Sequence, residues 1–156
     1  QELGIVTFVQ DMTTGDISEL TEQILTSDVT DLVNKGPMAE MLAGLELLHY
    51  RTPNIRHEIY YWQRQVKNSQ AEVDYISSYR QTVLPIEVKA EKQGGMKSLW
   101  IFLRERKLSN AIRCSLENFG TFDYQDPEVS GAVRHVKICP LYAISQMDSV
   151  LKAFNW

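Results

Sequence analysis

The chain predicts an α/β (α+β) protein with an αβββαβ element order and a mixed sheet flanked by helices. Three observations carry this reading. A helical apolar stripe over residues 38–48 precedes three β-rich runs, whose short joining turns make an antiparallel meander. A Gly94-Gly95 break and an amphipathic segment follow, and then a fourth β-rich run. That strand–helix–strand order favours parallel pairing of the third and fourth strands through a right-handed crossover.

Each element has its own justification. Gly4 to Gln10 is β-branched and reads as a short strand. Ile17, Leu20 and Ile24 give Asp16 to Thr26 a helical spacing, and Ser27 to Gly36 is a connector. Pro37 suits the first helical position, and Met38, Met41, Leu42, Leu45 and Leu48 form the apolar stripe of a helix that runs to about Tyr50 and stops before Pro53. Glu58 to Gln65 is an aromatic-rich strand, Lys67 to Gln70 a turn, and Ala71 to Ser77 a second strand. After a turn at Ser78 to Gln81, Val83 to Ala90 is a third strand, buried through Val83, Leu84, Ile86 and Val88. Met96 to Lys107 is the amphipathic helix and Ala111 to Ser115 the fourth strand. Glu117 to Arg134 is polar and reads as a loop, Val136 to Cys139 as a last short strand, and Leu141 to Phe154 as a closing helix. The domain is expected over residues 36–156, with 1–35 a linker or the remnant of a preceding region. The start reads as trimmed, since it opens on Gln1 without a signal-peptide pattern.

Composition narrows the function classes. Apolar content of 44% and charged content of 23% are ordinary for a globular protein, and no run is long enough to cross a membrane. Cys114 and Cys139 lack CxxC spacing and the three histidines are scattered, which argues against a zinc site or a disulfide framework and for a reducing, cytoplasmic setting. The net charge of −4 argues against a dedicated nucleic-acid binder. The charge is uneven, however. Residues 1–36 balance to −6, seven acids against Lys35, while 80–113 balance to +5, eight bases against three acids. Lys92, Lys97 and Arg113 belong to this basic stretch. It reads either as a phosphate-facing surface or as the solvated face of one helix.

The residues that carry chemistry are Asp74 on the second meander strand and Glu87 and Lys89 on the third. Glu87 and Lys89 are two apart, so they share a strand face. Carboxylates at two positions can hold Mg²⁺ with hard oxygen ligands, and a neighbouring ammonium can orient a water or stabilise charge on phosphorus. The Val88 carbonyl is a further candidate ligand. Glu40, on the first helix, is either a third carboxylate ligand or a helix-dipole partner. Glu72 shares the Asp74 face and either substitutes for it or faces solvent. Tyr60, Tyr61 and Trp62 read as base-stacking groups or as core, with core favoured for Tyr60 and Trp62. Arg113 either meets a phosphate or is a buried partner of Glu87.

Asp74 followed by Glu87-Val88-Lys89 on this element order resembles the PD-(D/E)XK nuclease-like superfamily. At the family level, Lys35-Gly36-Pro37-Met38-Ala39-Glu40, Ile59-Tyr60-Tyr61-Trp62-Gln63-Arg64, Ala71-Glu72-Val73-Asp74-Tyr75, Pro85-Ile86-Glu87-Val88-Lys89 and Ile112-Arg113-Cys114-Ser115 resemble the C-terminal domain of unknown function of bacterial and archaeal predicted AAA+ ATPases. Pro140-Leu141-Tyr142-Ala143-Ile144 resembles that domain's end. The resemblance runs from about residue 34 onward. It implies a restriction-endonuclease-like core and a Mg²⁺-dependent nuclease-like domain acting on or binding nucleic acid. The implied catalytic residues are Asp74, Glu87 and Lys89, the metal ligands Glu40, Asp74 and Glu87, and the nucleic-acid contacts Lys92, Lys97 and Arg113. The implied partner is an AAA+ ATPase module of the same or a related chain. This chain has no GxxxxGK[ST] phosphate loop. The alternative reading is a non-catalytic interaction or oligomerisation domain of such an ATPase, with homo-oligomers possible in either case.

Overall fold

The computed structural model describes residues 3–5, 35–49, 59–66, 69–90 and 95–154. Its strands are β1 (Leu3–Ile5), β2 (Tyr60–Val66), β3 (Ser69–Tyr79), β4 (Thr82–Lys89), β5 (Asn110–Ser115), β6 (Gly120–Gln125) and β7 (Val133–Pro140). Its α-helices are α1 (Lys35–His49), α2 (Lys97–Arg106) and α3 (Met147–Ala153), with a 3₁₀ segment at Leu141–Gln146. The architecture is mixed α+β. The described strands form one sheet in the order β1-β2-β3-β4-β5-β7-β6. β2, β3 and β4 make the expected antiparallel meander, and β5 pairs parallel to β4 through Ile86↔Ile112 to Lys89↔Ser115.

The sheet separates two apolar layers. On one side Ala39, Ala43 and Leu47 of α1 and Ile144, Met147 and Leu151 near the C-terminus pack on Leu84, Ile86, Val88, Ile112 and Cys114. On the other, Leu99, Phe102 and Leu103 of α2 pack on Trp62, Val73, Ala111 and Val136. Ala111 and Ile112 fall in different layers because successive strand residues point to opposite faces. Trp62 is fully buried and meets Phe102 edge-on, 5.2 Å between ring centroids. The core reading of Trp62 holds, and Tyr60 is half-buried against the same layer.

Four readings need correction. The helix α1 starts at Lys35, ahead of Pro37, and it turns Ala39, Ala43 and Leu47 to the sheet, while Met38, Met41, Leu42 and Leu45 are only half-buried. The stretch Glu117 to Arg134 is not one loop. It contains β6, whose residues alternate between half-buried and exposed, and the start of β7, antiparallel to it. Polar Thr121, Asp123 and Gln125 on the outer face hide the two-residue period of Phe122 and Tyr124. The closing segment is not one α-helix. Leu141 and Ile144 are three apart and both buried, which suits a 3₁₀ turn, and α3 starts only at Met147. Val83 is 41% exposed, so β4 is buried only from Leu84 onward. The predicted helix at Asp16 to Thr26, the connector after it, residues 6–10 of the first predicted strand and the position of Lys92 lie outside the described residues.

One polar knot joins α2 to the far edge of the sheet. The Asp126 carboxylate is fully buried beyond the end of β6. It accepts from Arg104 Nη1 at 2.9 Å, from Arg134 Nε and Nη2 at 3.2 and 3.1 Å, and from the Glu128 N–H at 3.2 Å. Arg134 Nη1 also donates to the Leu108 carbonyl at 2.8 Å. Burial works against ionising Asp126, and the two arginines more than reverse it, holding the carboxyl below its ordinary value.

Two stability predictions follow from the fold. Asp126→Ala leaves two inward guanidinium groups without their anion, so urea denaturation should show a loss of about 3–5 kcal/mol. The β3–β4 hairpin turns on Arg80 and Gln81, both with positive φ, 47° and 65°. Only glycine adopts that region freely. Gln81→Gly should raise the urea midpoint by the equivalent of about 0.5–1 kcal/mol, and an unchanged or lowered midpoint would count against strain at the turn.

Candidate functional site

The site begins where the β3–β4 ladder stops. The paired residues run from Tyr79↔Thr82 to Tyr75↔Ile86. Beyond them the Val88 N–H donates to Asp74 Oδ2 at 2.7 Å. A side-chain carboxylate has taken the place of a strand carbonyl, and its second oxygen remains outside that bond.

An irregularity on the other side of β3 aims the neighbouring residues. Tyr60 pairs with Ile76 and Trp62 with Val73, so residues 60 to 62 of β2 oppose 73 to 76 of β3. The extra residue is a β-bulge, which puts both Asp74 and Tyr75 opposite Tyr61 and re-aims their side chains. A cavity of about 250 Å³ opens there, lined by Glu40, Tyr61, Glu72, Asp74 and Tyr75.

Glu87 lies on β4 beside this bulge and is only 3% exposed. Lys89 Nζ stands 2.6 Å from its Oε1, as same-face strand residues two apart allow. Its Oε2 is buried and has no hydrogen-bond partner. Burial first, and then the Asp74 charge, raise the Glu87 carboxyl to about 7. Burial also raises Asp74, against the opposing Val88 N–H and Lys89. Glu40 is raised by burial and by the Asp74 and Glu72 charges, with Lys89 opposing. For Lys89, burial favours the neutral amine, but Glu87, Asp74 and Glu40 outweigh it and keep the ammonium. The acids therefore crowd one another, with Lys89 as the cation acting on Glu40, Asp74 and Glu87 alike.

The structure brings Glu40, Asp74, Glu87 and Lys89 together and adds Glu72 as a cavity wall. Arg113 is buried on β5 as the register partner of Glu87. Its guanidinium Nη2 lies 3.6 Å from a Glu117 carboxylate oxygen. Lys97 is exposed at the first position of α2. Of the two cavity tyrosines, Tyr61 is among the candidate base-stacking groups of the sequence, whereas Tyr75 is not singled out there. Tyr75 is placed by the bulge, and a bulge leaves no mark in apolar alternation.

The donor set suits a hard divalent cation. Mg²⁺ is commonly held by one or two carboxylates and keeps several waters, and Asp74 and Glu87 supply two. An orphaned buried carboxylate oxygen is the kind of atom that such an ion satisfies. Among the described residues no three histidine, cysteine or carboxylate side chains are arranged to hold an ion by themselves. The fit is to an open, water-rich site rather than a closed protein cage.

Residues 35–141 match DUF4143, a domain of unknown function found at the C-terminus of AAA-ATPase-associated proteins. The chain belongs to this family. The match spans the bulge, the meander, α2 and the parallel strands, and so the whole of the site. A comparison with curated proteins gives no match. Among the described residues of this DUF4143 protein, no helix is long and apolar enough to cross a membrane.

The acids set the sign of a pH effect. The folded Glu87 binds its proton more tightly than the unfolded carboxyl, about 7 against 4.5. Its contribution to stability is complete below pH 4.5 and is lost as pH rises through about 7. In chelator-treated protein, thermal unfolding should show wild type losing up to about 3 kcal/mol relative to Glu87→Gln across that window. Parallel pH profiles for the two proteins would contradict the assignment.

Proposed function

We propose that this DUF4143 domain has a PD-(D/E)XK, restriction-endonuclease-like core and works as a Mg²⁺-dependent nuclease-like domain on nucleic acid, as the C-terminal part of a cytoplasmic AAA+ ATPase. The observation that carries the proposal is the buried, partnerless Glu87 Oε2 beside Asp74 and Lys89. The Lys89 pair occupies only Oε1, and a buried oxygen without a partner is costly. The pair leaves that oxygen over for a ligand.

Asp74 and Glu87 would hold the ion, with Glu40 at the cavity wall as the third carboxylate. When bound, Mg²⁺ polarises a phosphoryl oxygen and lowers the pKa of a coordinated water. The Val88 N–H fixes the Asp74 carboxylate in one orientation. The Lys89 ammonium favours the ionised form of Glu87 against burial and the Asp74 charge, and its remaining protons would be available to orient a water or to meet charge on the phosphorus. Arg113, next to Glu87 in the sheet, would meet the phosphate only on release from Glu117.

A second reading is a non-catalytic interaction or oligomerisation domain. The net charge of −4 and the lack, among the described residues, of a three-ligand group favour it.

Thermal unfolding with added Mn²⁺ or Mg²⁺ separates the two. Wild type should gain about 3 kcal/mol of stability at a hundredfold excess over the dissociation constant, and Glu87→Gln much less. Cleavage of plasmid, single-stranded and branched DNA should depend on the metal and fall at least a hundredfold in Asp74→Ala and Lys89→Ala. Equal metal stabilisation of wild type and Glu87→Gln, with no cleavage by either, would leave the interaction-domain reading.

A further inference from the structure

We propose that Tyr75 is a positioning residue of this site: its hydroxyl ties α1 to the sheet at Glu40 and so sets the third carboxylate against Asp74 and Glu87. The inference rests on the metal-site reading and adds the device that assembles it. The Tyr75 hydroxyl donates to the Glu40 main-chain carbonyl at 2.7 Å, across 35 residues of sequence. A helical carbonyl keeps a second lone pair beside its bond within the helix, so the contact costs α1 nothing.

The bulge gives this bond its meaning. In a regular strand Asp74 and Tyr75 would point to opposite faces, one to the site and the other away. With the extra residue both stand opposite Tyr61 and both line the cavity. One residue thereby supplies a ligand, and the next anchors the helix that carries another. Ala39 and Ala43 help, because their small side chains let α1 lie close to the sheet on either side of Glu40. They set the distance of the helix, but methyl groups do not set its rotation or its slide along the sheet. A directed hydrogen bond does.

Glu40 needs such a device. Its carboxyl sits among Asp74, Glu72 and Lys89, where like charges push it away. In the absence of a cation, repulsion and solvation both favour a Glu40 displaced outward. The Tyr75 bond holds the backbone in place, so that only side-chain torsions are left for the carboxylate to adjust. The Tyr75 ring is itself 5% exposed in the layer beneath α1. Its packing would survive the loss of the hydroxyl alone.

The test is Mn²⁺ binding by calorimetry to wild type, Tyr75→Phe, Glu40→Gln and the double variant, with urea unfolding of each alongside. Tyr75→Phe should weaken Mn²⁺ binding about three- to tenfold, in line with the loss of one buried hydrogen bond. Made in the Glu40→Gln background, it should weaken binding no further, because the carboxylate that it positions is gone. A merely structural tyrosine would lower the urea midpoint in both backgrounds and leave Mn²⁺ affinity alone, and that result overturns the proposal. If wild type binds Mn²⁺, Glu87→Gln does not and Tyr75→Phe matches wild type, the metal site stands and the role of Tyr75 falls. If wild type and Glu87→Gln are equally without Mn²⁺ binding, both fall.

Discussion

The hydrogen bond from the Val88 N–H to the Asp74 carboxylate is the contact on which the rest of the site depends. From Leu84 to Val88 strand β4 is buried, and each N–H in that stretch needs an acceptor. At Val88 the acceptor is a charged side chain from the neighbouring strand. That substitution lets β3 leave the ladder without stranding a buried N–H. It also brings a carboxylate to the central strand, beside Glu87, where a sheet would otherwise present only amides. Charge-assisted bonds of this type are short and directional, and the 2.7 Å separation fits that class.

The surrounding layers make the arrangement tolerable. Burial raises Glu40, Asp74 and Glu87 together, which measures how much solvation the site has given up. Two apolar layers on opposite faces of the sheet hold the strands in register against that repulsion. The far end of the sheet solves the opposite problem. There Asp126 is deeply buried but ringed by Arg104 and Arg134, so its ionised form is favoured. The same residue type is thus used in two ways: fully compensated where the fold needs a joint, and under-compensated where the pocket opens.

Periodicity made much of this fold legible. The existence of α1, of the meander and of the parallel β4–β5 pair follows from apolar spacing and turn residues in their segments. The face of α1 that meets the sheet does not: Ala39, Ala43 and Leu47 pack there, and the larger Met38, Met41, Leu42 and Leu45 are only half-buried. Asp74, Glu87 and Lys89 stood out through their residue types and the two-residue step on β4. Other features left weaker traces. β6 was hidden because its outer face is polar and its inner face offers only Phe122 and Tyr124 between glycine- and proline-containing turns. The 3₁₀ segment shares its three-residue apolar spacing with the helix that follows. Asp126 lies in a Gln-Asp-Pro turn sequence where an exposed carboxylate is the ordinary expectation. Arg113 turned to Glu117, four residues on, a choice that depends on how the chain bends after β5. Tyr75 belongs to the site only because of one extra residue in β3, and hydropathy carries no sign of it.

Cys114 and Cys139 are register partners on β5 and β7, both buried and both free thiols. The hydrogen bond to Cys139, together with burial, lifts the Cys114 thiol well above its ordinary value, so it stays in the unreactive protonated form. A reagent reaches it only when the centre of the sheet parts. The rate of alkylation at Cys114 is then a clock for that opening. Since β5 lies directly beside the strand that carries Glu87 and Lys89, the same clock reports how often the floor under those side chains gives way.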